Sequence, residues 1–520
     1  MKRFVIGAMT KFIKYACNEK ILLIFLFLFG ILSWSLYCRN FIWDDSYFYL
    51  VIARNIILTG QQTFSNIFIT NGIHPLWLYV LTVYNVVIAY FNVNLLFNES
   101  SALFLSAGVL AWGAINFWKV ADLLKLPKFP FVGIPLGYLL FFQVLYSEAH
   151  IYFATLSYLT LISVKKSRER SYAPYLTGFI CALVFLSRLD SIFFIFCYFI
   201  WYIINTDKRS LIIRFCSVFL AIVTPYFICN LIFFGGLVPI SGWMKSSFPT
   251  IFLNKPLTGN CILGYNTIAG IIPIILSTTI LIFIRKPLER GEQIVYVYLW
   301  GSILHCLYTI FYTRFHTLYW WYYVSHIILL SFAVALLLKF RPVMNRAKAA
   351  LNFCMVALFC CLLAYFRWNN PPESGNSIAM LLNFMKQHDI KNKNILVSDI
   401  PGIISFYSLN NIIAADMITA NRKFFDAMRS APNALTYLLD YCKDIGKPIH
   451  YYLHMGTGFI ALNQKPKNAT AITYNDPKLY PVIKSIGTLN FGHKLDYAFG
   501  YTICILWKLT DSENIPKSTD

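Results

Sequence analysis

FIWDDSYFYLVIARNIILTGQQTFSNIFITNGIHPLW, residues 41–77, is the stretch on which the reading of this chain turns. It lies between two greasy segments. Two adjacent acids, Asp44 and Asp45, stand a few residues beyond the end of the first. Carboxylates this close to hydrocarbon are costly unless something uses them. Arg54, Asn55, Asn66, Asn71 and His74 follow, so a polar cluster sits in an otherwise apolar context.

The surroundings of that stretch read as membrane. The 520 residues are 58% hydrophobic, 18% aromatic and only 13% charged, which excludes an ordinary soluble protein. Apolar runs recur at 21–37, 75–91, 102–118, 131–147, 171–186, 191–204, 211–234, 266–284, 294–312, 323–338 and 350–366, with a more polar candidate at 149–164. A span takes about 20 apolar residues. The expected class is therefore a polytopic α-helical membrane protein with about 11–13 transmembrane helices.

The formal net charge of +21 raises nucleic acid as a partner. The placement of the charge argues against it: "KKSRER" 165–170, "DKRS" 207–210, "RKPLERGE" 285–292 and "KFRPVMNRAK" 339–348 are short loops between apolar runs. That is the pattern of cytoplasmic loops. Lys2, Arg3, Lys11, Lys14 and Lys20 precede the first span without a small-residue cleavage site. The N-terminus is then expected in the cytoplasm, with residues 1–20 as an interfacial segment. Loops 187–190, 236–265 and 313–322, and the chain after about 367, fall on the opposite side. One conflict remains. The first loop and Glu148 must share a side, yet three apolar stretches separate them. One of the three must be re-entrant or hide a second short span.

After Phe366 the composition changes. A polar linker, "RWNNPPESGNS", leads into helical "IAMLLNFMKQHD", strand-like "NILVSD", a turn and short helix in "PGIISFYS", and strand-like "NIIAAD". This alternation predicts a small α/β domain over 367–520, following a membrane domain over 21–366 whose first outer loop is 39–74. "SDIPG" reads as a structural turn before a ligand loop, since no glycine-rich fingerprint accompanies it. Cys442 and Cys504 fall in this domain and are open to either a disulfide or free thiols; the other cysteines lie in or beside spans.

On the outer side the topology collects Asp44, Asp45, Arg54, Asn55 and His74, then Glu148, then Arg188 and Asp190 in "SRLDS", Lys245 after "FFGGLVPISGWM", and Arg314 and His316 in "YTRFHTLYWWYY". Each has a plain structural reading. The two aspartates suit a helix N-terminus, Arg188 and Asp190 an ion pair, Lys245 a snorkelling lysine, His74 an interfacial cap, and the aromatic run an interfacial belt. The set suggests more. Carboxylates suit base catalysis on a hydroxyl, Arg and Lys suit a phosphate, and aromatic and apolar walls suit a sugar face and a lipid tail.

On these residues the chain resembles the GT-C superfamily of polyprenyl-phosphate-sugar glycosyltransferases, and within it the bacterial branch containing arabinofuranosyltransferases. "DDSYFYLVIARNIILTGQQTFSN" followed by "NGIHPLW" is similar to the family's first outer loop. "SEAHIYF" resembles its Gly-Met-Glu-Thr step, "LSRLDS" its Arg-Pro-Asp step with Leu189 in place of Pro, and "FFGGLVPISGWMK" its Pro-to-Lys step. "SDIPGIISFYS…NIIAAD" resembles the start of its outer domain, so the likeness runs from about 40 to 425.

The resemblance implies a bacterial inner-membrane enzyme working on the periplasmic face. Its donor would be an undecaprenyl- or other polyprenyl-phosphate-linked sugar in the lipid bilayer, and its acceptor a surface glycan such as lipopolysaccharide O-antigen, or a protein. It makes Asp45 the base and Asp44 its helper, with inversion at the sugar. Lys245, Arg188 and Arg314 are the expected phosphate ligands; Arg54, Asn55, His74, Glu148, Asp190 and His316 are the expected substrate contacts. Some members hold a divalent metal, Mg or Mn, at such acids, for which Asp44, Asp45 and Glu148 are the candidate ligands. The competing class, a flippase or transporter of lipid-linked sugars, predicts charges within helices and repeated halves, and neither is apparent.

Overall fold

The computed structural model describes residues 44–91, 99–141, 147–165, 173–206, 208–251, 265–313, 320–341, 381–383, 385–397, 401–415, 417–432, 434–456, 489–491 and 503–508. The apolar runs 21–37 and 350–366, Arg314 and His316 lie outside them.

One helix lies in the first loop and a second follows it. α1, Asp44–Thr59, opens with its two acids in the first turn, where the helix dipole favours negative charge. α2, Pro75–Phe91, begins on a proline, which suits the first helical position because its missing N–H would have no partner there. The bundle follows: α3 Glu99–Leu124, α4 Lys128–Phe141, α5 Ala149–Val164, α6 Ala173–Ser187, α7 Ile192–Ile204, α8 Arg209–Phe234, the short α9 Ile240–Lys245, α10 Tyr265–Ile284, α11 Ile294–Tyr312 and α12 Val324–Phe340. Among the described residues, Ser101–Leu124, Arg209–Phe234, Ile294–Tyr312 and Trp321–Phe340 are long and apolar enough to cross a membrane. α3 packs on α5, α8 on α6, α11 on α7, and α12 on both α4 and α10. α8 is peripheral. It exposes Ile213, Leu220, Ile228, Leu231, Ile232 and Phe233, a face that suits hydrocarbon rather than water.

The C-terminal unit is α/β, as its alternating pattern predicts. Strands β1 Asn394–Val397, β2 Asn411–Ala414, β3 Tyr451–Gly456, β4 Leu489–Phe491 and β5 Ile503–Lys508 form one sheet in the order β2-β1-β3-β5-β4. β1 pairs in parallel with β2 and β3, and β5 is antiparallel to β3 and β4. Helices α13 Pro401–Tyr407, α14 Arg422–Ser430 and α15 Ala434–Asp444 connect the first three strands. Cys442 is a buried free thiol, which closes the disulfide alternative for it.

The first loop is clamped between bundle and sheet. Residues 46–53 of α1 are all buried, and they share one apolar cluster with Ile395, Val397, Ile403, Ile404 and Ile412. "PGIISFYS" is thus structural: Gly402 lies so close to Asp44 that a Cβ would sit 2.4 Å from its carbonyl oxygen.

The same contacts bear on the topological conflict. Gly72, just before α2, touches Ile418 of the C-terminal unit. Glu99, just after α2, accepts a hydrogen bond from Tyr407 of that unit. Mid-helix, Tyr84 donates to the Ser101 carbonyl at the start of α3 (3.0 Å). Gly72 before α2 and Glu99 after it thus both lie against the C-terminal unit, an arrangement that fits the re-entrant alternative for α2. The opposite end carries the basic loops, where Lys339 bonds the Leu124 carbonyl (2.8 Å) and Glu292 (2.5 Å), and Lys128 pairs with Asp122 (2.6 Å).

Candidate functional site

A cavity of about 690 Å³ opens at the end of the bundle that carries the C-terminal unit. Asp45, His74, Glu148, Arg188, Asp190 and Lys245 all line it, from five separate places in the sequence. Each is delivered by a helix end or a turn. Asp45 is in the first turn of α1 and is exposed. His74 immediately precedes α2 and Glu148 precedes α5. Arg188 and Asp190 belong to the tight turn between α6 and α7, and Lys245 ends α9.

Arg188 organises one wall. It is 0% exposed and its guanidinium is engaged on every side. Nε and Nη2 donate to the two Asp190 oxygens (3.0 and 2.8 Å), and Nη1 donates to Glu148 Oε1 (2.7 Å) and the Trp321 carbonyl (3.2 Å). The second Glu148 oxygen accepts from Tyr49 (2.9 Å), whose own oxygen accepts from the His74 backbone N–H (3.3 Å). Arg188 was expected to hold a phosphate. The structure instead uses its fork to fix two acids, consistent with the ion-pair reading, and a charge so compensated offers little to a third anion.

Lys245 is different. Its ammonium donates to the Tyr322 hydroxyl (3.1 Å), and the Arg188 guanidinium lies 4.3 Å over the same ring. Burial disfavours the ammonium, but Tyr322, Asp45 and Glu148 outweigh it and raise its pKa above the usual lysine range. The cation facing the cavity is thus permanently charged. Burial is also the main influence on His74 and lowers its pKa despite nearby Glu148, so the imidazole is neutral at pH 7.

The position of α9 follows from an amide lock. Asn71 donates to Asn230 (3.1 Å) and accepts from the Ile240 N–H (3.1 Å), while Asn230 donates to the Leu237 carbonyl (3.2 Å). The first loop thereby sets where Lys245 stands.

Other expected residues stand elsewhere. Asp44 accepts from the Ile403 N–H at the start of α13 (2.7 Å) and does not line the cavity. Arg54 donates to the Ser405 and Phe406 carbonyls at the end of α13 (3.1 and 3.2 Å). Asn55 is buried and donates to the Thr63 and Phe64 carbonyls (2.9 and 3.1 Å), closing the loop on itself. Asp44 and Arg54 thus bind the C-terminal unit and Asn55 shapes the loop, and none of the three lines the cavity. The sequence reading did not single out Tyr49, Tyr322 or His305, whose Nε2 lies 3.3 Å from Asp190 Oδ2. Only the run "YWWYY" was a signal, and it was read mainly as an interfacial belt.

For a divalent metal the donor set does not fit. No group of three or more potential ligands is gathered among the described residues. Of the three candidates, Asp44 is turned to Ile403 and both Glu148 oxygens are bonded by Arg188 and Tyr49.

No protein-family model matches the chain, and no curated protein matches it. Solved structures do. The crystal structure of ArnT from Cupriavidus metallidurans bound to undecaprenyl phosphate matches with a TM-score of 0.59 at 12% identity, covering 96% of this chain and 99% of that one. The oligosaccharyltransferase of Archaeoglobus fulgidus in complex with zinc and sulfate matches with a TM-score of 0.46 at 12% identity, covering 83% of this chain and 68% of that one. The helical bundle with its polar cavity at one end, matched over nearly the whole length of both chains by ArnT, makes this chain a polytopic helical membrane protein with the GT-C fold.

Proposed function

We propose that this protein transfers a sugar from a polyprenyl-phosphate donor to a hydroxyl acceptor, with the reaction on the outer, periplasmic side of a bacterial inner membrane. The observation that carries the reading is one cavity that joins Asp45, Glu148 and Lys245 to the apolar residues Phe219, Leu220, Val223 and Phe227 of peripheral α8. A lipid-linked sugar phosphate requires those three features together: an acid–base group, a cation and a hydrocarbon wall. The fold supports it, because ArnT, a protein of this fold, has been solved with undecaprenyl phosphate bound.

In this mechanism Lys245 faces the donor phosphate as a point charge. The Arg188–Asp190–Glu148 group fixes Glu148 against the sugar, and neutral His74 lies on the same side. Asp45, exposed at the mouth, takes the proton of the acceptor hydroxyl. The acceptor oxygen attacks the anomeric carbon, and the C–O bond to phosphate breaks. Polyprenyl phosphate leaves with the bonding pair, its charge stabilised by Lys245, and the anomeric configuration inverts. The C-terminal unit, through Ile418 and Thr419, covers the site from the water side.

The test is reconstitution of purified protein in liposomes with synthetic undecaprenyl-phosphate sugars, with mass spectrometry of the products. Release of undecaprenyl phosphate together with a glycosylated product is expected. Movement of the lipid-linked sugar between leaflets without any bond cleavage would overturn the reading in favour of a transporter.

A further inference from the structure

The cavity has two kinds of wall. On one side are Phe219, Leu220, Val223 and Phe227 of α8 and Ile192 and Phe193 of α7. Leu220 and Ile192 expose 55% and 43% of their surface on membrane helices, so this side opens towards lipid. A second set of lining residues comes from three segments that are not spans: Ile418 and Thr419 of the C-terminal unit, Trp243 and Ser241 of α9, and Thr70 and Gly72 of the first loop. The mechanism above uses none of these side chains.

This second wall carries two local costs. Met417, buried and not a glycine, has a left-handed backbone with φ 57°, a conformation that strains a side chain of its size. Its turn is closed by hydrogen bonds from Met417 N–H to the Ala414 carbonyl (3.0 Å) and from Ala420 N–H to the Met417 carbonyl (2.9 Å). Independently, Gly72 has no room for a side chain: a Cβ would stand 1.9 Å from the Ile418 carbonyl oxygen. The strained turn and the forced glycine bring the backbone at Ile418 against the first loop, where Ile418 and Thr419 line the cavity. Trp243 is held against the same unit, in the cluster that includes Met417 and Ala420, with the Arg422 guanidinium 4.7 Å over its ring and Phe425 edge-on at 5.7 Å.

The chemistry of this wall is that of a carbohydrate subsite. It contains an indole, the hydroxyl-bearing Thr419 and Ser241, and an aliphatic Ile418, while the Thr70 hydroxyl accepts from the Gly72 N–H (3.0 Å). The two residues supplied by the C-terminal unit are uncharged. An aromatic body gives apolar contact area to the C–H face of a pyranose, and a few placed hydroxyls fix its orientation. A donor whose lipid lies along α7 and α8 leaves the residues of the C-terminal unit and the first loop for the attacking acceptor.

We infer that Trp243 and the 417–420 turn form the acceptor subsite, and that it takes the pyranose ring of a glycan rather than a peptide side chain. This rests on the glycosyl-transfer reading above. The experiment follows a panel of undecaprenyl-phosphate sugars through two fates: hydrolysis, with water as acceptor, and transfer to either an alkyl hexopyranoside panel or a serine-rich peptide. Wild-type protein is expected to glycosylate a pyranoside in preference to the peptide. Thr419→Val, which keeps the volume, is expected to lower the ratio of transfer to hydrolysis by about three- to tenfold. Trp243→Ala should lower it by about tenfold or more, with Trp243→Phe recovering part of the loss. Preference for the peptide, hydrolysis with no transfer to any pyranoside, or a ratio unchanged in both Thr419→Val and Trp243→Ala would each overturn the subsite. Wild-type protein that neither hydrolyses nor transfers would instead overturn the glycosyltransferase reading.

Discussion

The two ends of the bundle each hold a buried acid against a cation, and they have different architectures. At the end with the basic loops, Glu292 is fully buried, pairs with Lys339 at 2.5 Å, and accepts from the Glu289 N–H at 2.9 Å. Lys339 also ties down the last carbonyl of α3. The group pins α3, α12 and the turn before α11 together. At the other end Glu148 is nearly as buried and is paired at 2.7 Å. There the pair faces a cavity with a further acid, Asp45, and a further cation, Lys245. A buried ion pair is therefore not in itself a mark of function. What distinguishes the second end is charge beyond the structural pair, placed where a ligand can reach it.

That contrast is best tested by breaking each end in turn. Asp45→Asn should have the largest effect. A base at the reacting hydroxyl contributes about 10²–10⁴-fold, and the amide keeps volume and can still serve a helix start. Near-complete loss of transfer with normal membrane insertion is expected; full activity would reduce the acid to a helix cap. Lys339→Met, at the opposite end, leaves Glu292 buried without its cation. Losing one partner of such a pair costs about 3–5 kcal/mol, so thermal unfolding in detergent should shift clearly downward, while the folded fraction keeps its kcat/KM. A catalytic defect there would erase the distinction between the ends.

Lys245→Ala removes one charge-assisted contact, which is valued at about 1.5–3 kcal/mol. The donor KM should rise roughly tenfold or more, with little change in protein yield. The same residue makes a pH prediction. Because its pKa is raised, the ammonium persists as pH climbs and is lost only above the usual lysine range. The donor KM should accordingly stay flat between about pH 7 and 9.5; a rise centred within that interval would take the lysine out of the phosphate site. The smallest effect belongs to Asp44→Asn. The amide oxygen can still accept from Ile403, so docking of the outer unit should weaken by about 1 kcal/mol or less, and transfer should persist at close to the native rate. Equal losses from the two aspartate substitutions would show that they act as one catalytic unit.

The separate fates of these neighbours show how far the sequence could be read. The membrane class, the α/β unit and the polar residues that converge were legible because they are local. Apolar runs, a period change after Phe366, and acids and bases at span ends all announce themselves within a few residues. Six of the named residues do line one cavity. Which of two adjacent aspartates faces it was not legible, because successive helical residues point about 100° apart and only the partner surfaces decide which one meets the cavity. Asp44 is claimed by a backbone N–H 359 positions away. Tyr49, Tyr322 and His305 went unnoticed for a related reason: in isolation each is an ordinary residue of a span or an interfacial belt.

Composition and spacing by themselves determined that this chain folds across a membrane and gathers titratable groups at one end, since hydrophobic burial and the cost of charge in lipid act on each segment separately. Only the tertiary structure decided that both flanks of α2 meet the C-terminal unit, that Arg188 commits its charge to Glu148 and Asp190, and that a strained turn at Met417 closes over the first loop. These outcomes depend on partners tens to hundreds of residues apart, whose pairing becomes defined only when the helices and sheet pack together.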